Sequence, residues 1–81
     1  MRIDKLLWYL RLCKSRSLAQ IWVDQGHIRI NGNRVTKCSA AVHSGDVITL
    51  PRGEEILVIQ IENLPNRRGP AEEAKSHYLC L

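Results

Sequence analysis

The spacing of apolar residues changes once along this chain, and that change restricts what it can fold into. From Ile3 to Val23 apolar side chains recur at three- and four-residue steps: Ile3, Leu6, Leu7, Leu10 and Cys13, then Leu18 above Trp22 and Ala19 above Val23. Such spacing puts an apolar stripe on one side of a helix. From Ile28 onward polar and apolar residues alternate, and Asn31-Gly32 separates two short runs, the strongest short hairpin signal. Helices first and strands afterwards, in 81 residues, imply an α+β fold. Two N-terminal helices pack on a small, mostly antiparallel sheet.

The boundaries follow from local chemistry. Helix one is expected to run about three turns, to Cys13 or Lys14. Ser15 reads as the N-cap of helix two, its hydroxyl accepting from the free backbone donors of the next turn. Gly26 suits the left-handed position that ends that helix. The strands expected after the first hairpin are Val47 to Leu50 and Ile56 to Ile61. The latter is apolar on both faces except at Gln60, so it belongs inside the sheet. Residues 1–64 then form one domain, and residues 65–81 a linker with a short helical tail. Pro70 and the acidic Glu72 and Glu73 suit the start of a helix over 70–79. Ala71, Ala74 and Tyr78 would share its buried face, with Trp8 the nearest partner.

Several functions are excluded or disfavoured. The longest apolar run, Leu6 to Leu10, is five residues, against the ~20 of a membrane helix, so no membrane partner is expected. Arg2, Asp4 and Lys5 have no long apolar stretch behind them, unlike a signal peptide. Three widely spaced cysteines, Cys13, Cys38 and Cys80, fit free thiols in a reducing cytoplasm. His77 and Cys80 alone do not make a metal site. Asp4 is the only carboxylate among the first 23 residues, so a paired acid–base site there is not expected. No glycine-rich phosphate loop is present. The expectation is no enzyme, no metal and no cofactor.

Charge is unevenly placed. Residues 1–37 hold eight basic and two acidic side chains, a net +6, whereas residues 38–66 carry −3 and residues 67–81 carry +1. A basic half on a small domain suits a polyanion, because Lys and Arg neutralise phosphates and release counterions. Arg11 and Lys14 lie near the end of helix one, and Ser15 and Arg16 open helix two, where free backbone donors favour phosphate. Arg29 projects from a strand opposite to Ile28 and Ile30, with Asn31 and Lys37 near the adjacent hairpin. Corner and hairpin would make one basic rim if they face the same way. Asp4 reads as a residue that positions neighbouring cations, and Trp22 as core.

The ordered set Arg2-Ile3-Asp4-Lys5-Leu6-Leu7, Arg11, Lys14-Ser15-Arg16, Ala19, Gly26, Ile28-Arg29-Ile30-Asn31-Gly32, Lys37, Ser39, Val42 and Gly45-Asp46 resembles the S4 RNA-binding domain, the alpha-L motif, over residues 2 to about 50. The resemblance implies RNA lying across both helices and the hairpin, touching Arg2, Lys5, Arg11, Lys14, Ser15, Arg16, Gln20 and Asn31. Cys38 stands where a proline often precedes Ser39. Leu7-Trp8 and the tail from Arg67 to Ala74, near Tyr78, are similar to two bacterial branches of the family, one of heat-shock proteins and one of ribosome quality control. Both imply large ribosomal subunits that hold peptidyl-tRNA after stalled translation.

The function expected is a non-catalytic, monomeric, cytoplasmic RNA-binding protein that recognises structured ribosomal RNA, with tRNA a further candidate. Two alternatives stand beside it. One is a protein–protein adaptor that uses Trp8 and the tail surface. The other is a helix-corner DNA binder, against which the short, apolar second helix and the missing dimerisation segment weigh.

Overall fold

Helix α1 (Ile3–Tyr9) stops a turn earlier than its apolar spacing predicts. The Leu12 N–H donates to Leu7 O at 3.0 Å and the Arg11 N–H to Trp8 O at 3.1 Å, the pair of bonds with which a left-handed residue closes a helix. That residue is Arg11, at φ 59°. Helix α2 (Arg16–Asp24) closes with the same two bonds, His27 N–H to Trp22 O and Gly26 N–H to Val23 O. There glycine takes the left-handed position, and the sequence announces it. At Arg11 a side chain takes it, at a cost of roughly 1–2 kcal/mol, and nothing local signals the stop. Leu10 and Cys13 stay buried beyond the helix end, so their spacing reports the core and not the helix length.

These helices belong to a computed structural model that describes all 81 residues. Strands β1 (Ile28–Ile30), β2 (Asn33–Val35), β3 (Val47–Arg52), β4 (Glu55–Ile61) and β5 (Tyr78–Cys80) form one antiparallel sheet in the order β2-β1-β3-β4-β5. Asn31 at φ 52° and Gly32 at φ 81° make the two-residue turn between β1 and β2, whose type requires positive φ at both positions. The fold is therefore the α+β arrangement expected, two helices on a mostly antiparallel sheet.

The helices cover one face. Ile3, Leu6, Leu7, Leu10, Ala19 and Val23 pack on Ile28, Ile48, Leu50, Ile59 and Ile61 in a single core. Cys13 lies in it at 3 % exposure, and burial pushes its thiol up to about 11, which keeps it protonated and unreactive. The other sheet face carries Arg34, Arg29, Thr49 and Val58, which follow one another across the strand pairings. β4 has a strand on each side, as its two-faced apolar run suggests, although Ile56 at its start is 72 % exposed.

The tail departs from expectation. α3 spans only Ala71–Lys75, with Pro70 as its N-cap. Tyr78 is not on a helix: Tyr78–Cys80 is β5, in register with Ile61, Gln60 and Ile59 of β4. The edge of β4 offers a row of backbone partners, and these outweigh the four-residue step from Ala74 to Tyr78. Trp8 is met by the tail, but through Arg68, whose guanidinium carbon lies 5.3 Å from the indole centroid and whose Nε donates to Trp8 O at 3.0 Å.

Candidate nucleic-acid interface

The start of the chain is stapled to the loop that follows the hairpin. Ile3 N–H donates to Ala40 O at 2.9 Å, Val42 N–H to Met1 O at 2.8 Å, and Arg2 bridges to Ala41. This fixes the first turn of α1 against that loop, and the bonds of Arg16 and Gln20 to Asp4 tie it to α2. Asp4 sits in the seam, fully buried. Its carboxylate accepts from Arg2 Nε and Nη2 at 3.1 Å each, Lys5 N–H at 2.8 Å, Gln20 Nε2 at 3.0 Å and Arg16 Nε at 3.4 Å. Burial alone would push the carboxyl up. The bonds from Gln20, Arg2, the Lys5 N–H and Arg16 outweigh it and hold the group below its ordinary value. An ionised Asp4 thus orients two guanidiniums whose side chains remain 48 % and 38 % exposed. It positions cations, as its place among them suggests.

Around this centre lie other residues expected at the site. Ser15 caps α2, its Oγ accepting from Leu18 N–H at 3.1 Å. Lys14 is exposed beside it, and Lys5 leans over the Tyr9 ring with Nζ 5.2 Å from the centroid. Lys37 is exposed next to Cys38, whose thiol donates to Gln20 O at 3.6 Å, so the loop brings Lys37 beside α2. The sequence signals Tyr9 only through its four-residue step from Lys5, a helical-neighbour spacing.

Three expected residues stand apart. Arg11 turns to the tail and donates from Nε to Gly69 O at 2.6 Å. Arg29 lies on the sheet face away from the helices, and its Nη1 donates to Gly32 O at 3.1 Å. Corner and hairpin therefore do not form one continuous rim through Arg29. Asn31 has its amide engaged: Nδ2 donates to Asp46 Oδ1 at 3.0 Å, and Oδ1 accepts from Val47 N–H at 2.9 Å. The His43 N–H and the Asn31 amide hold the Asp46 carboxyl below its ordinary range. Asn31→Ala should lower stability by about 1–2 kcal/mol, since it strains the left-handed turn and removes both bonds. Asn31→Gly, which keeps the turn, should lose less. Denaturant midpoints compare the two, and equal losses would mean the turn conformation contributes nothing.

Two guanidiniums, an amide and a capped helix start around one ionised carboxylate form a basic surface of fixed shape, suited to a phosphate backbone. No group of three or more His, Cys, Asp or Glu side chains could hold a metal ion, and no helix is long and apolar enough to cross a membrane.

Comparison with known proteins gives the class. The family model of the S4 domain matches residues 1–48, and the chain belongs to that RNA-binding family. Among similar proteins, the RQC P-site tRNA stabilizing factor of Bacillus subtilis is 41 % identical over 81 residues, which cover 100 % of this chain and 92 % of that protein. Heat shock protein 15 of Escherichia coli is 34 % identical over 77 residues, covering 95 % of this chain and 57 % of that protein. A solved structure of heat shock protein 15 from Vibrio cholerae, described as trimeric, matches with a TM-score of 0.94 at 40 % identity, over 100 % of this chain and 81 % of that one.

Proposed function

We propose that the protein binds structured ribosomal RNA of the large subunit in the bacterial cytoplasm, on particles that still hold peptidyl-tRNA, and acts there without catalysis. The observation that carries this reading is the buried Asp4 holding Arg2, Arg16 and Gln20 at the seam of α1 and α2. Lys5, Lys14, Ser15 and Lys37 extend the same contact surface, and the names of the similar proteins support the tRNA-bearing particle as the target. Contact through phosphates and shape suits this surface, because guanidiniums on a fixed carboxylate recognise geometry more than base identity. The reading takes the protein as a monomer, which sedimentation velocity of the free protein tests.

Arg16→Ala tests the site. It should weaken binding to purified large subunits across salt concentrations, and the slope of log affinity against log salt should become shallower by about 0.7–0.9 for one lost phosphate contact. Affinity and slope both unchanged would remove Arg16, and with it the corner, from the interface. Competition by duplex DNA as effective as that by ribosomal RNA would replace the RNA reading with general polyanion binding.

A further inference from the structure

At the far end of α1 from Asp4, the chain encloses a cleft of about 590 Å³ between the end of that helix, the β3–β4 turn and the tail. The volume falls within the range of small-ligand sites, roughly 300–1,000 Å³. Leu10 and Leu50, each 2 % exposed, contribute its apolar base. Three cations line it, Arg11, Arg52 and Lys75, and no carboxylate does. None of the three joins an ion pair within the chain. Trp22 and Tyr78, both half-buried, line the same cleft.

The chemistry of this lining narrows the occupant. Three like charges gathered around an apolar base repel one another, and an anion relieves that repulsion. Two aromatic side chains add planar faces that a phosphate alone would leave unused. A chain that supplies both anionic groups and planar apolar rings is single-stranded nucleic acid, whose bases stack on aromatics while cations track its backbone. An acidic peptide would answer the charge but not the rings. A duplex keeps its bases stacked inside and could not fill a concave site.

We propose that this cleft is a second RNA site, which takes an unstacked nucleotide of a single-stranded segment with its base against Trp22 or Tyr78 and its phosphates among Arg11, Arg52 and Lys75. It is separate from the Asp4 corner, and Arg11, which the corner lacks, is its first cation. The site lets one small domain hold a structured RNA by one end of α1 and an unpaired strand by the other.

Labelled oligouridylate and oligoadenylate, titrated with the full chain, test the proposal by fluorescence anisotropy. Both should bind, and in a Trp8→Phe background both should quench Trp22. Reversal of Arg52 and Lys75 to Glu together should lower oligonucleotide affinity by about tenfold or more, as expected for two lost phosphate contacts, while large-subunit binding changes by less than about twofold. Tyr78→Phe should retain affinity and Tyr78→Leu should lose several-fold, in line with the contribution of one stacked base. Arg16→Ala should leave oligonucleotide affinity in place, which separates failure of this site from failure of the corner. The proposal is overturned if neither oligonucleotide binds, or if Arg16→Ala and not the double reversal abolishes binding. Tighter binding of oligoglutamate in the same cleft would also overturn it, in favour of an acidic protein partner.

Discussion

Replacing Asp4 by Asn is expected to lower stability by about 2–3 kcal/mol and to weaken large-subunit binding about tenfold. The first figure follows from losing charge-assisted bonds, which contribute roughly 1.5–3 kcal/mol each when formed with an ionised group. The loss is moderated because the guanidiniums of Arg2 and Arg16 are partly exposed and can return to water. The second figure follows from freeing two long side chains that binding must then immobilise, at about 0.5–1.5 kcal/mol each. The number of cations is unchanged, so the slope against salt should stay the same even as affinity falls. That combination separates positioning from contact, since Arg16→Ala changes both.

The pH dependence gives an independent check. Asp4 has a folded pKa lowered from 3.8, with burial opposed by the bonds from Gln20, Arg2, Lys5 and Arg16. A carboxylate of this kind contributes stability above its unfolded value, and the contribution is lost as pH falls through the folded one. Wild-type stability should therefore drop on acidification below about pH 4, and the Asp4→Asn variant should drop less steeply, retaining the part due to Asp46. Superimposable acid limbs in denaturant titrations would show that Asp4 carries no net charge–charge stabilisation.

Much of this was legible in the residues, for physical reasons that also mark where legibility ends. The apolar period and the Asn31-Gly32 turn depend on neighbours within a few positions, and they located both helices and the first hairpin. The Ser15 cap and the Gly26 stop are local in the same sense. Asp4 could be read as a positioning residue because it stands alone among cations in the basic half. The stop at Arg11 was not legible, since an arginine in a glycine's conformation carries no sequence signal. That Arg29 faces away from the helices, by contrast, follows from its alternation with Ile28 and Ile30, because the helices cover the apolar face. The partners of Trp8 and Tyr78 lie some 60 and 17 residues away in the chain. In the tail, propensity favoured a continuing helix, and the unpaired edge of β4 decided otherwise.

Deletion of residues 66–81 should be the most damaging change, with a loss of about 3–5 kcal/mol. In a chain of this size total stability is about 4–12 kcal/mol, so the truncated protein would be marginal. The estimate rests on what the tail covers. β5 sets Tyr78 and Cys80 against Ile61 and Ile59, and the segment before it buries Gly69 and Ala74. Uncovering large apolar side chains costs about 1.5–3 kcal/mol each when complete. A Cβ at Gly69 would run into the Glu73 carboxylate, which itself accepts from Arg67 Nη2 at 2.8 Å, so the linker is a packed element and not a free tether. Trp8 would lose Arg68 and its emission should shift to the red. Truncation also frees the edge of β4 at Ile59 to Ile61, lengthening the open run that begins at Ile56, and such an edge recruits other chains. The truncated protein should therefore aggregate on warming, which light scattering during thermal unfolding would detect. Arg68→Ala separates the two effects: it should produce the Trp8 shift with a stability loss of only about 1 kcal/mol, the scale of a cation–π contact at a partly exposed site. A soluble truncated protein with an unshifted melting transition would mean that β5 is dispensable to the sheet and that the tail serves binding alone.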